Sequence, residues 1–268
     1  MTVRDRTPRI VIFDSGVGSL SIGAEIHALL PSLDLLYVMD RGGFPYGLWQ
    51  EQALVEHICQ KVHEVLRAQS ADMLVMACNS ASTAVLPALR EQLSIPVVGV
   101  VPAIKPAAVQ SRSRVIGLLA TPGTVARPYT AKLIADFAPD CCVIPVGSAE
   151  LAPAVEALFW HGDDAPQVWR GIAEQFHCHP RAAEMDTVVL ACTHFPLVKD
   201  QLARQLPKLA WIDSGQAIAR RVQQLLLDQG WQPTPVPGRQ FLRLLGARAP
   251  SEVLSQRLGE RGIVLSGH

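Results

Sequence analysis

A nine-residue pattern that occurs twice constrains this chain more than any other feature. Asp72–Ser80 reads Asp-Met-Leu-Val-Met-Ala-Cys-Asn-Ser, and Asp186–His194 reads Asp-Thr-Val-Val-Leu-Ala-Cys-Thr-His. Each copy sets an aspartate six positions before a cysteine, with a short apolar run closing in alanine between them. Downstream, Ala103-Ile104 and Ala217-Ile218 fall at the same offset from Cys78 and from Cys192. Upstream, Arg9 and Arg114 each open an apolar run. The period is far too long for a solenoid and points to a duplicated α/β unit. Two buried strands can look alike by chance, but the cysteine after each one argues against it.

The rest of the chain fits that unit. Short apolar runs with β-branched content and polar ends read as buried strands. They are Arg9–Phe13, Leu33–Asp40, Asp72–Ala77, Ile95–Val100, Arg114–Ala120, Cys141–Val146, Thr187–Ala191 and Leu209–Asp213. Helical patterns lie between them, as at Leu48–Ala68, Ala81–Gln92, Thr130–Phe137 and Gly215–Asp228. After the Pro-rich loop Gln232–Pro237, a strand (Phe241–Leu245), a helix (Ser251–Arg261) and a strand (Ile263–Leu265) are expected. Strand–helix alternation predicts an α/β fold of two pseudo-symmetric lobes, with mainly parallel sheets covered by helices. Residues 1–98 with 210–268 would form the first lobe and 99–209 the second, with the active site in the interlobe cleft. In such sheets the chemistry lies where strands turn into helices at their carboxyl ends.

Composition narrows the class. Apolar residues make up 49% of the 268 and charged residues 18%, so there is ample core and intrinsic disorder is excluded. Twenty-four basic side chains balance 24 acidic ones, which excludes binding nucleic acid through overall positive charge. Six cysteines without a Cys-x-x-Cys pair make neither a disulfide scaffold nor a usual zinc site. The run Ile10–Phe13 stops at Asp14, and no stretch reaches the length of a membrane span. A cytoplasmic chain with reduced thiols is expected.

Cys78 and Cys192 each fall at a strand-to-helix turn, where a helix amino terminus favours thiolate. Two opposed bases of similar strength suit removal of a proton from one face of a stereocentre and its return to the other. Free cysteines are also common core residues, and the paired placement favours chemistry. His194 can exchange a proton with the Cys192 thiol or stabilise its thiolate, or it can start a helix bonded to backbone. Asp14 ends the first strand in Asp-Ser-Gly-Val-Gly. It suits a supporting base, an ammonium ligand or a helix cap. The dinucleotide fingerprint fails there, because Ser21 stands where the third glycine belongs. Asn79, Ser80, Thr121 and Thr193 sit at equivalent turns and suit carboxylate binding or plain capping. Cys59, Cys141, Cys142 and Cys178 read as packing, and His177-Cys178-His179 reads as a solvated helix end rather than a metal site.

The chain resembles the glutamate racemases of the cofactor-independent aspartate/glutamate racemase superfamily. The likeness is carried by Val11–Leu20, Pro45-Tyr46-Gly47, Ala77–Ser82, Pro96–Ala103, Leu119–Val125, Ala191–Leu197 and Asp213–Gly215, in family order. It implies interconversion of L- and D-glutamate without pyridoxal phosphate, with D-glutamate feeding peptidoglycan synthesis. A metal held by Cys78, Cys192 and His194 is not expected, because the usual ligand spacing is missing. Cys78 and Cys192 would be the two bases, Asp14 assisting one thiol and His194 the other. Asp14, Ser15, Tyr46, Gly47, Asn79, Ser80, Thr193 and His194 would hold the substrate. Glu156 matches a glutamate near one thiol, with Glu150 as its alternative. Ser80 stands where threonine is commoner, and Arg41–Phe44 departs from the usual loop. Gly147-Ser-Ala-Glu150 resembles the group activated by a peptidoglycan precursor. The implied partners are thus glutamate and such a precursor, with neither membrane nor nucleic acid required. A homodimer is one arrangement the resemblance admits. An aspartate or hydantoin racemase using the same thiols, and a non-catalytic two-lobed binding protein, are the rival readings.

Overall fold

The computed structural model describes residues 6–247 and 249–266. They divide into two compact units, one running up to Val100 and resuming at Gly215, the other spanning Val101–Ser214.

The first unit takes β1 (Arg9–Asp14), α1 (Ser19–Leu29), β2 (Asp34–Asp40), α2 (Glu51–Ala68), β3 (Met73–Met76), α3 (Asn79–Gln92) and β4 (Val97–Gly99). The second takes α4 (Ile104–Gln110), β5 (Val115–Ala120), α5 (Pro122–Ala126), α6 (Pro128–Phe137), β6 (Cys142–Gly147), α7 (Leu151–His161), α8 (Pro166–His177), β7 (Thr187–Leu190), α9 (Lys199–Gln205) and β8 (Ala210–Ile212). The first unit is completed by α10 (Gly215–Asp228), β9 (Gln240–Leu245), α11 (Glu252–Gly259) and β10 (Ile263–Leu265).

The duplication is visible in the topology. The first sheet runs β10-β9-β2-β1-β3-β4 and the second β6-β5-β7-β8. Every pairing is parallel. Four strands of each sheet therefore follow one order, and β9 and β10 extend the first at its β2 side. The register repeats as well: Phe13 pairs with Met76, and Leu119 with Leu190. One residue on, Ala77 N donates to Phe13 O at 2.7 Å, and Ala191 N donates to Leu119 O at 2.8 Å.

Side chains alternate between sheet faces, so unbroken burial along a strand means that both faces are covered. β2, β3, β5 and β7 are buried at every residue. Their apolar runs show no alternation for the same reason. The helices differ from expectation at their ends. The segment read as one helix from Leu48 is a 3-10 turn at Tyr46–Leu48 followed by α2, and α3 starts at Asn79. Cys141 lies just ahead of β6 rather than on it.

The two aspartates of the repeat are structural and sit at the strands' amino ends. Asp72 takes a bidentate pair from Arg6 at 2.8 and 2.7 Å and a bond from Arg9 N at 2.9 Å. Asp186 accepts from Ser111 Oγ, Arg112 N and Ser113 N at 2.7–2.8 Å. Burial works against the Asp186 carboxylate, yet these bonds hold its pKa down at about 2. Each aspartate thus ties the start of β3 or β7 to the segment leading into β1 or β5. The cysteines stand at the opposite ends of the same strands. No described helix is long and apolar enough to cross a membrane.

Candidate active site

β3 ends at Met76 and β7 at Leu190, so Cys78 and Cys192 each stand two residues past a strand of matching position. Both are 9% exposed. Their surroundings differ.

In the first unit, Cys78 occupies the N-cap of α3 in an extended conformation, its carbonyl accepting from Ser82 N at 2.8 Å. The peptide dipoles of this 14-residue helix point their positive end at the thiol. Asn79 and Ser80 open the helix and are buried. Asn79 Oδ1 is buried without a hydrogen-bond partner, an acceptor well suited to an ammonium group. Asp14 ends β1 and is fully buried, and its Oδ1 accepts from Gly16 N at 3.0 Å and Ser15 Oγ at 3.3 Å. The capping reading of Asp14 is not met: Gly18 stands at the N-cap of α1 without a side-chain bond, and Asp14 Oδ1 closes the turn ahead of it.

Tyr46 is buried in the same apolar cluster as Cys78. Its hydroxyl donates to Asp40 Oδ2 at 2.7 Å. Burial pushes the phenol far above its ordinary pKa, and the charges of Asp40, Cys78 and Asp14 push it further. Tyr46 is thus a neutral donor, and its hydroxyl is directed at Asp40. Asp40 also accepts from His57 Nε2 at 2.5 Å. Sequence reasoning does not single out Asp40 or His57. One signal was available: Asp40 ends β2 as Asp14 ends β1, and a carboxylate at a strand's carboxyl end is a site position.

In the second unit, Cys192 does not meet an α-helix. The chain turns through Thr193 and His194 into a 3-10 turn at Phe195–Val198, and α9 follows. Pro196 lies in the first positions of that turn and has no N–H to donate. The helix-dipole argument therefore applies to Cys78 and not to Cys192. A side-chain chain takes its place. His194 Nδ1 lies 3.8 Å from Cys192 Sγ, and His194 Nε2 lies 2.7 Å from Glu156 Oε1 on α7. His194 and Glu156 are 3% and 4% exposed, so water screens this pair little. Burial alone disfavours the imidazolium. Hydrogen bonds and charges from Cys192 and Glu156 outweigh it and raise the His194 pKa well above the ordinary value. An imidazolium against a thiol favours thiolate.

Glu150 precedes α7 and is exposed, so only Glu156 of the two candidates meets His194. Thr193 is buried beside this chain. Thr121 follows β5 and caps α5, its Oγ1 accepting from Thr124 N at 3.3 Å. His177, Cys178 and His179 end α8 with Cys178 exposed, and His179 Nδ1 accepts from Arg181 N at 3.2 Å. Among the described residues no group of three or more His, Cys, Asp or Glu side chains is placed to hold a metal ion.

Comparison with known proteins gives one consistent result. Residues 25–222 match the Asp/Glu/Hydantoin racemase family model. The glutamate racemase of Shewanella sp. strain MR-4 is 49% identical over 220 residues, covering 82% of this chain and 79% of that protein. Among solved structures, Escherichia coli glutamate racemase in complex with L-glutamate and the activator UDP-MurNAc-ala superposes with a TM-score of 0.86. It is 41% identical, and the match covers 97% of this chain and 98% of that one. Glutamate racemase from Thermus thermophilus, in complex with beta-chloro-D-alanine, gives a TM-score of 0.76 at 30% identity over 98% and 96% of the two chains.

Proposed function

The chain belongs to the Asp/Glu/Hydantoin racemase family, and from that premise we propose that it is a glutamate racemase, interconverting L- and D-glutamate by proton transfer at Cα. The observation that carries this reading is the paired cysteine. Two sheets of one strand order each present a nearly buried thiol two residues past equivalent strands, each among buried polar groups.

Cys78 and Cys192 are the two bases. As thiolate, one takes the α-proton, breaking the Cα–H bond and leaving its electron pair on the substrate. The other, as thiol, gives a proton to the opposite face of Cα. The enantiomer formed leaves the two sulfurs with exchanged protonation, so the reverse reaction runs through the same states. An amino-acid α-proton is very weakly acidic, so fixed donors and exclusion of water must stabilise the carbanionic transition state. Asp14 supports Cys78. His194, held by Glu156, supports Cys192. Ser15, Tyr46, Gly47, Asn79, Ser80, Thr121, Thr193 and His194 bind the carboxylates and ammonium of glutamate. The unpartnered Asn79 Oδ1 supports this assignment for the ammonium group. The two compact units serve as the two lobes.

The reaction needs no pyridoxal phosphate, and its D-glutamate serves peptidoglycan synthesis in the cytoplasm. Regulation by a peptidoglycan precursor is part of the proposal, supported by the Gly147-Ser-Ala-Glu150 segment and by the activator held in the Escherichia coli structure. The test is incubation of L-glutamate in D2O, followed by circular dichroism and mass spectrometry. Inversion with one deuterium gained at Cα is expected. Binding without inversion would leave a glutamate-binding protein, and inversion confined to another amino acid would move the chain to a sister racemase.

A further inference from the structure

Beside Cys78, Tyr46 meets two polar side chains, the buried Asp40 and the half-buried His57, that are neither proposed bases nor proposed substrate ligands. Asp40 is 1% exposed at the carboxyl end of β2, and its Oδ2 accepts from both the Tyr46 hydroxyl at 2.7 Å and His57 Nε2 at 2.5 Å. A buried carboxylate is costly unless donors surround it. Here the donors come from two elements, the 3-10 turn after β2 and helix α2.

The cluster is fitted closely. Trp49 tilts over His57 with ring centroids 4.8 Å apart, and its Nε1 donates to Gly43 O at 2.9 Å. Tyr46 meets the His57 ring edge-on at 6.2 Å. A Cβ on Gly43 would stand 2.6 Å from Asp40 Oδ2, 2.6 Å from Tyr46 Cε1 and 3.0 Å from His57 Nε2. Only glycine leaves room there for all three groups. The hydroxyl of Tyr46 is therefore spent on Asp40, and what the segment offers a ligand is its backbone, with Gly47 next in line.

We propose that Asp40 and His57 are positioning residues that hold Tyr46, and with it the Pro45–Gly47 segment, in the conformation that binds glutamate beside Cys78. This inference rests on the racemase reading. His57 reaches the Tyr46 hydroxyl through Asp40, and its ring also packs against Tyr46 and Trp49. It touches binding rather than proton transfer, so its loss raises KM and leaves kcat nearly unchanged.

The experiment is steady-state racemisation by His57→Ala, His57→Gln and Tyr46→Phe, with the double variant His57→Ala/Tyr46→Phe. His57→Ala is expected to raise the KM for glutamate about tenfold with kcat within about threefold. His57→Gln keeps a donor for Asp40 and recovers most of the KM, and it keeps the test available should His57→Ala fold poorly. In the Tyr46→Phe background His57→Ala should add less than about twofold, because both act through one contact chain. An unchanged KM in His57→Ala, or full additivity in the double variant, would overturn the proposal. Amide exchange in the peptide 41–50 reads positioning without substrate. It should quicken in His57→Ala and return in His57→Gln, and unchanged exchange would also overturn it. Should the wild type fail to invert glutamate while these exchange rates shift, the racemase reading falls and the positioning role stands.

Discussion

The Cys78 and Cys192 sites occupy one position in one topology and support their thiols by different physics. At Cys78 the support is mostly backbone, the amino terminus of a long helix, with the Asp14 carboxylate arriving on β1. Register puts Ala120 where Asp14 would be in the second unit, and a 3-10 turn replaces the helix. There the support is a side-chain relay, Cys192 to His194 to Glu156, across 38 positions of sequence. A duplicated fold fixes where a reactive group stands. In the proposed mechanism that group is activated differently in each copy, by residues the repeat does not share.

The two sites should respond unequally to substitution. Cys78→Ala and Cys192→Ala each remove a base, and each should lower kcat/KM by about 1000-fold or more. Full activity in either would end the two-thiol mechanism. Next, His194→Asn should cost about 100-fold, because Cys192 has no helix terminus to fall back on. A loss in His194→Asn as small as that of a surface variant would show that the relay is not what supports Cys192. Third, Glu156→Gln keeps an acceptor for His194 but removes the charge, and about a tenfold loss is expected. Its pH signature is more specific. The folded pKa of His194 is raised, so the stability it contributes is fully present below about 6.5, the unfolded histidine value, and is lost as pH rises through the folded one. Melting temperature against pH should therefore fall across that alkaline window in the wild type and flatten in Glu156→Gln. A parallel curve would contradict the raised value. The smallest effect belongs to Thr121→Ala, which removes the cap of α5 at a cost of about 1 kcal/mol in denaturant unfolding. Loss of its proposed part in substrate binding should raise KM as well, and an unchanged KM would leave Thr121 a cap alone.

The ten described strands are legible in the sequence as short apolar runs with polar ends, and β2, β3, β5 and β7, buried at every residue, are the plainest of them. Helix ends are less so, since Cys78, Asn79 and Ser80 look alike to a periodicity argument whether they cap a helix or continue it. The cysteines are legible through the repeat. Glu156 is not, because α7 is apolar on several sides and leaves no clear stripe to place it. Given that helix, the choice follows: Glu150 and Glu156 stand six positions, hence about 120°, apart around the axis. Only one of them can face inward with Val155 and Phe159. The relay from Glu156 to His194 and the cluster of Asp40 with His57 join distant segments, and no local pattern reports such meetings.

The placement of β9 has a consequence for how the chain is made. β2 lies between β1 and β9, and Arg239 N donates to Asp34 Oδ1 from 205 positions away. The second unit is one continuous stretch of chain and can close as soon as it has been synthesised. The first unit must wait, with one edge of a strand apolar from Leu35 to Met39 uncovered, until the residues 205 positions further on have left the ribosome. During that interval β2 offers unpaired N–H and C=O groups to any neighbouring nascent chain. Aggregation during synthesis, more than loss of the finished fold, is where damage to β9 would be felt first.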